Sequence, residues 1–140
     1  MSSYVIDTSV AVKWFIPEKD SDLARNVLEV ATILFAPDLL LIEFDNVFCR
    51  RVRLGEMALS QGQGIRTAFR TLPFEFVPSP GLAEHAFSLA IEIGHTVQDC
   101  LYLALAFQRD AVLLTADVVL QRKITNAGFG DRARLLSQGV

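Results

Sequence analysis

Short runs of apolar residues alternate along the chain with longer stretches in which apolar residues recur at helical spacing. The short runs, bounded by turn residues, predict strands at 4–6, 34–36, 74–77, 111–114 and 134–136. The longer stretches predict helices at about 9–15, 20–33, 38–53, 60–71, 81–93, 97–109 and 117–127. Strands that alternate with helices are typical of an α/β fold. We therefore predict a single domain over 1–140, with a mostly parallel central sheet of four or five short strands surrounded by helices.

The helix predicted at 38–53 is apolar on nearly every side. Glu43 lies on one apolar face, while Phe44 and Phe48 lie on the other. Because a helix that is apolar all round is not a surface helix, both faces need a cover. One face can pack on the sheet. For the other we hypothesise a homodimer contact or a groove for a partner's helix, unless the neighbouring predicted helices cover it within the monomer.

The charge balance does not by itself indicate a nucleic-acid-binding protein. Thirteen basic and sixteen acidic residues give a formal net charge of −3, whereas nucleic-acid-binding domains are usually basic. However, a carboxylate cluster that holds a divalent metal is partly neutralised, and ten of the thirteen basic residues are arginine, which suits phosphate contact. The densest group, Arg50, Arg51 and Arg53, is a candidate for RNA binding. A solvated helix end near the C-terminal dipole explains it equally well.

The apolar runs and the cysteines predict a cytoplasmic protein with no membrane segment. Charged residues interrupt the long apolar runs, as Glu43 does after 39–42. The first residues lack the basic and apolar regions of a signal peptide. Cys49 and Cys100 lie in apolar helical patterns, which favours buried free thiols in a reducing compartment. Together with the two histidines they show no zinc-binding spacing.

Two aspartates follow predicted strands. Asp7 comes directly after the strand at 4–6, and Asp117 comes shortly after the strand at 111–114. In open α/β sheets, ligands bind beyond the carboxyl ends of the strands, so both acids stand where such sites form. Each is also a good N-cap for the helix that follows it, which is the simpler explanation for either residue alone.

Two further acids lie inside predicted helices. Asp99 is the third residue after Thr96, an imperfect capping box, and stands at the edge of an apolar face. Glu43 is harder to explain, because it lies in the middle of a helix, caps nothing and falls on an apolar face. An unpaired buried carboxylate is costly, so Glu43 needs a partner such as a metal or an arginine. Asn46, one turn later, could hold it or contact a ligand.

The four acids together predict one metal centre. Carboxylate oxygens are hard ligands that suit Mg²⁺ or Mn²⁺, and such a cluster can hold one ion or two. Water bound to such a cation becomes more acidic, and the cation stabilises charge on a phosphate under attack. We therefore predict a site for phosphoryl transfer that needs no serine or histidine nucleophile. The predicted catalytic and metal-binding residues are Asp7, Glu43, Asp99 and Asp117.

Four blocks around these acids together resemble a known family. They are Val5-Ile6-Asp7-Thr8-Ser9, Glu43-Phe44-Asp45-Asn46, His95 to Ala106, and Leu114 to Leu120. Each block alone is weak, but in their order and spacing they cover essentially the whole chain and resemble the PIN-domain ribonucleases. Within that family the resemblance is to the VapC toxins of toxin–antitoxin pairs. It implies a parallel sheet wrapped by helices, hydrolysis of RNA with Mg²⁺ or Mn²⁺, a homodimer, and inhibition by a small antitoxin protein.

The resemblance also implies roles for single residues. The four acids match the family's metal-binding acids, three hydroxyls match groups that orient water or metal, and one amide matches a polar position beside the second acid. The hydroxyls are those of Thr8, Ser9 and Thr115, and the amide is that of Asn46. The chain departs from the family beside Asp99, where Gln98 replaces a common aromatic residue and Cys100 a frequent alanine. This departure puts the substrate preference in doubt.

Two alternatives to a ribonuclease remain open from the sequence. A phosphatase of the aspartyl-nucleophile type also has an aspartate after its first strand, but it needs a second aspartate two residues later, where this chain has Ser9. A non-catalytic binding module with the same fold would be expected to have lost an acid, and all four are present. Metal-dependent cleavage of RNA would separate both alternatives from a ribonuclease.

Overall fold

Five parallel strands form one sheet at the centre of the molecule. The computed structural model describes residues 3–31 and 33–140. The strands are β1 Ser3–Ile6, β2 Ile33–Pro37, β3 Phe74–Val77, β4 Val112–Thr115 and β5 Ala133–Leu135. They are ordered β3-β2-β1-β4-β5, and every neighbouring pair is parallel. The predicted α/β fold with a parallel central sheet is therefore confirmed.

Seven α-helices lie between the strands in the described part of the chain. They are α1 Thr8–Ala11, α2 Ser21–Val30, α3 Leu39–Arg53, α4 Leu59–Arg70, α5 Ala83–Ile93, α6 Val97–Gln108 and α7 Val118–Asn126. Parallel strands need such crossover connections, because the chain must return to the same end of the sheet before each new strand. α6 packs on β1, β2 and β4, and its residues from Cys100 to Ala106 are all buried. Of the helices described, none has both the length and the hydropathy needed to cross a bilayer.

The order of the strands creates a crevice at the carboxyl ends of β1 and β4. The chain proceeds from β1 outward to β2 and β3, and then continues on the other side of β1 with β4 and β5. Where the strand order reverses, the connecting loops separate and leave room for a ligand. Asp7 follows β1 and Asp117 lies just beyond β4. Both acids therefore stand at the switch point of the sheet.

Some element boundaries differ from the prediction. The helix predicted at 20–33 ends at Val30, because Ile33 pairs with β1 as the first residue of β2. An isolated apolar residue fits the periodicity of either element, so the sequence pattern alone did not separate them. β4 and β5 are each shifted by one residue, so Thr115 ends β4 and Leu136 opens a 3₁₀ turn after β5.

The second apolar face of α3 is covered within the monomer. Phe44 and Phe48 are buried, and the ring of Phe44 stacks on Phe69 of α4 with a centroid separation of 3.9 Å. The monomer therefore buries Phe44 and Phe48 itself, so these two rings do not by themselves call for a homodimer contact or a partner's helix on this face. The aromatic contact packs α3, which carries Glu43, against α4.

The two free cysteines differ in exposure. Cys100 is buried, as predicted, but Cys49 is exposed. The buried side of α3 carries Leu40, Phe44 and Phe48. Cys49 lies about 100° further round the helix than Phe48, which turns its side chain towards solvent.

Candidate active site

A cavity of about 190 Å³ lies at the switch point of the sheet. The residues that line it are Asp7, Thr8, Ser9, Glu43, Asp99, Tyr102, Asp117 and Leu120. The four acids singled out from the sequence therefore surround one space, together with two of the hydroxyl residues. Separate elements position the acids, since one follows β1, one is on α3, one is on α6 and one precedes α7.

Asp7 is the most buried of the four acids. It caps α1 by accepting from the N–H of Val10 at 3.3 Å, and its Oδ1 accepts from the Ser9 hydroxyl at 2.5 Å. Burial raises the pKa of Asp7 to about 6, although the hydrogen bonds oppose this shift. The Ser9 hydroxyl also accepts from the N–H of Ala116 at 2.9 Å. One serine thus ties the end of β1 to the loop after β4.

Asp117 combines a capping role with a place at the cavity. Its Oδ1 accepts from the N–H of Leu120 at 3.1 Å, which caps the start of α7. Its own N–H donates to Thr115 Oγ1 at 3.0 Å. Thr115 is fully buried, so its hydroxyl shapes the turn that presents Asp117. For both strand-end acids, capping and a position at the cavity therefore occur together.

Two hydroxyl groups hold Glu43 in the middle of α3. Its Oε1 accepts from Tyr102 Oη at 2.5 Å and from Thr8 Oγ1 at 3.0 Å. Both hydroxyls contact the same oxygen, which leaves Oε2 for a ligand. Tyr102 is buried, and burial together with the negative charge of Glu43 raises the pKa of its phenol, so the hydroxyl stays protonated and donates. Tyr102 was not predicted as a site residue, although its position one helical turn after Asp99 could have indicated it.

Asp99 forms a close pair with a histidine. His95 Nε2 lies 2.6 Å from Asp99 Oδ2, across the start of α6. One possible ligand atom from each of His95, Asp99 and Asp117 lies within 4.8 Å of the others. The Thr96 hydroxyl caps α6 and accepts from the N–H of Asp99 at 3.2 Å, as the imperfect capping box indicated. His95 was not predicted as a site residue, because the histidines and cysteines of the sequence show no metal-binding spacing.

Four other candidate residues lie away from the cavity. Asn46 is exposed. Arg50, Arg51 and Arg53 lie in the last turn of α3, and Arg53 lines a separate apolar groove between α3 and α4. Among the described residues, none of these four lines the acidic cavity. The arginines stand at the C-terminal end of the helix dipole, as the alternative explanation required.

The two departures from the family pattern beside Asp99 differ in their surroundings. Gln98 is exposed, whereas Cys100 is buried in α6. Burial raises the pKa of the Cys100 thiol to about 11, so it remains a protonated core residue. Of the two, only Gln98 is placed to meet a substrate from solution.

The donor set of the cavity fits a hard divalent cation. Carboxylate oxygens dominate it, and these are the ligands that Mg²⁺ and Mn²⁺ prefer. In the described part of the chain, no lysine or arginine lines the cavity. A cation in the cavity would therefore stabilise the ionised form of the buried Asp7 carboxylate, which burial disfavours.

Comparison with known proteins identifies the family. The family model of the PIN domain matches residues 4–124. The chain belongs to the PIN domain family, which confirms the resemblance carried by the four sequence blocks. Ribonuclease VapC3 from Pyrobaculum aerophilum is 29% identical over 123 residues, which cover 85% of this chain and 92% of that protein.

Three solved structures share the fold. PAE2754 from Pyrobaculum aerophilum has a TM-score of 0.74 at 20% identity, and covers 98% of this chain and 85% of its own. A toxin–antitoxin complex from Klebsiella pneumoniae has a TM-score of 0.61 at 21% identity, and the match covers 81% of this chain and 86% of that chain. VapBC2 from Rickettsia felis, bound to a promoter DNA fragment, has a TM-score of 0.63 at 13% identity, and the match covers 95% of this chain and 98% of that chain. At these identities the similarity shows the fold alone.

Proposed function

We propose that this chain is a metal-dependent endoribonuclease that hydrolyses RNA phosphodiester bonds. The observation that carries the proposal is the convergence of Asp7, Glu43, Asp99 and Asp117 on one small cavity at the switch point of the sheet. Such a cluster suits a divalent cation and phosphate chemistry. Membership of the PIN domain family, and the similarity to a relative named Ribonuclease VapC3, support RNA as the substrate.

Some residues around the cavity would bind the metal, and others would hold those ligands in position. The metal ligands would be Asp7, Glu43, Asp99 and Asp117. Mg²⁺ or Mn²⁺, when bound, supplies charge stabilisation for the phosphate and a more acidic water. Ser9 holds the Asp7 carboxylate, while Thr8 and Tyr102 hold Glu43 through Oε1. This would leave Oε2 of Glu43 to bind the metal.

Purified protein should cleave RNA in the presence of Mg²⁺ or Mn²⁺ and should lose this activity in excess chelator. The measurement is the pattern of products from a labelled RNA mixture, followed by renewed cleavage when metal is added back. An Asp99→Asn variant purified in parallel controls for contaminating nucleases. Cleavage that persists in chelator would refute metal dependence. A failure to cleave any RNA with either metal would favour the non-catalytic binding module.

We also propose that the chain is the toxin of a toxin–antitoxin pair, inhibited in the cytoplasm by a small antitoxin protein. One similar structure is described as a toxin–antitoxin complex and another as VapBC2, and the relative is named Ribonuclease VapC3. Free thiols at Cys49 and Cys100 suit a reducing compartment. The neighbouring reading frame in the genome is the first place to look for the antitoxin.

We further propose a homodimer, which the VapC resemblance implies. Helix α5 carries Phe87 and Ile91 one turn apart, with 60% and 69% of their surface exposed. A two-fold contact is the commonest way to bury such a patch. Light scattering should therefore give twice the mass of one chain, and Phe87→Ser should shift the protein towards the monomer. A wild-type protein that is monomeric in solution would contradict the dimer.

Co-expression with the product of the neighbouring gene tests the proposed antitoxin. The complex should have a larger mass than the dimer, and it should not cleave RNA. Undiminished RNA cleavage by the complex would contradict inhibition by that gene product.

A further inference from the structure

A lysine, a histidine and Asp99 form a chain of hydrogen bonds beside the acidic cavity. Lys123 Nζ lies 3.3 Å from His95 Nδ1 and donates to the Gly94 carbonyl at 2.7 Å. His95 Nε2 in turn lies 2.6 Å from Asp99 Oδ2. Three elements meet at this point, because Gly94 ends α5, Asp99 is in the first turn of α6, and Lys123 belongs to α7. The function proposed above gives no role to Lys123 or His95.

These contacts determine which nitrogen of His95 carries the proton. The ammonium group of lysine has three donors and no acceptor, so His95 Nδ1 must accept from Lys123 and carries no hydrogen. The proton of the neutral ring is then on Nε2, which donates to Asp99 Oδ2. The geometry therefore favours the tautomer with its proton on Nε2.

The same contacts disfavour His95 as a metal ligand, although its Nε2 lies near Asp99 and Asp117. A ligating histidine offers a lone pair to the metal and donates its other N–H to a carboxylate or carbonyl. Here the arrangement is reversed, because Nδ1 faces the donor Lys123 while Nε2 donates to the carboxylate. His95 is thus placed to hold a ligand rather than to be one.

We propose that Lys123 and His95 form a positioning pair that orients the Asp99 carboxylate, with Oδ2 held by His95 and Oδ1 left for the metal. The inference rests on the proposed function in one respect, that Asp99 binds metal. The Asp99 side chain is 37% exposed, and without the pair it would exchange among rotamers, only some of which present an oxygen to the cavity. Hydrogen bonds of this kind to metal ligands are worth about 10–100-fold in metal affinity.

Nuclear magnetic resonance of the histidine ring nitrogens tests the pair in metal-free protein. The chain has only two histidines, and the exposed His85 serves as an internal reference. His95 should show an unprotonated Nδ1 and a protonated Nε2, and Lys123→Met should disturb this pattern while leaving His85 unchanged. A proton on Nδ1 in the wild type would overturn the proposal. So would a pattern in Lys123→Met identical to that of the wild type.

Calorimetric titration with Mg²⁺ and Mn²⁺ tests the consequence for the metal. His95→Leu should weaken binding about 10–100-fold. His95→Gln, whose amide can still donate to Asp99, should retain most of the affinity, and His85→Gln should bind as the wild type does. Circular dichroism checks that each variant is folded.

Three results of these measurements would count against the pair. Wild-type affinity in His95→Leu would overturn the positioning pair alone. Loss of the Nε2 proton on addition of Mg²⁺ would overturn it in favour of direct ligation by His95. A wild type that binds neither metal would overturn the proposed function as well, so the two failures are distinguishable.

Discussion

Asp99→Asn should lower the rate of RNA cleavage about 10³-fold and leave the fold intact. Asparagine keeps the shape of the side chain but replaces a charged ligand oxygen with a neutral one. A metal's electrostatic stabilisation of the transition state is worth several kcal/mol, and about 4 kcal/mol corresponds to 10³ in rate. Asp99 is partly exposed, and the cap of its helix is made by Thr96 and a backbone N–H, so the substitution removes no structural contact from the cap.

Cleavage rates at saturating Mg²⁺ measure this effect, with thermal unfolding as the check on folding. Asp131→Asn is the matched control, since Asp131 is exposed in a 3₁₀ turn outside the cavity. It makes the same chemical change and should keep the wild-type rate. A cleavage rate for Asp99→Asn within tenfold of the wild type would show that Asp99 is not needed for the chemistry.

Much of the fold could be predicted because buried elements leave clear patterns in the sequence. The apolar run between two prolines predicted a strand at 74–77, and β3 covers the same residues. The ends of helices and strands were harder to predict where one apolar residue fits the pattern of two neighbouring elements. Ile33 continues the helical spacing of α2, but its backbone pairs with β1. Long-range pairing, rather than local sequence, decided that boundary.

The acids of the candidate site could be predicted, but their supporting contacts could not. Strand-end positions indicated two of the acids, and the misfit of a carboxylate on an apolar helix face indicated Glu43. The groups that hold the acids come from distant parts of the chain. Tyr102 is 59 residues from Glu43, and Lys123 is 28 residues from His95. Such contacts depend on how the helices pack on the sheet, which periodicity does not specify.

Asp7→Asn should make the metal-free protein more stable at neutral pH, by up to about 3 kcal/mol. Burial raises the pKa of Asp7 from 3.8 to about 6 in the folded chain, whereas the unfolded chain keeps the ordinary value. Between these pH values the folded state binds more protons than the unfolded state, so the free energy of unfolding falls as the pH rises. Each pKa unit is worth about 1.36 kcal/mol, and asparagine avoids the whole penalty because it never ionises.

The pH profile separates this effect from a change in packing. In chelator, urea denaturation from about pH 4 to pH 7.5 should show the wild type losing stability relative to Asp7→Asn, with the difference smallest near pH 4. Asp131→Asn should follow the wild type throughout. Added Mg²⁺ should stabilise the wild type, because it binds only the folded state, and should have little effect on Asp7→Asn. Parallel curves at every pH would show that the buried carboxylate carries no ionisation penalty. A full Mg²⁺ response in Asp7→Asn would remove Asp7 from the metal ligands.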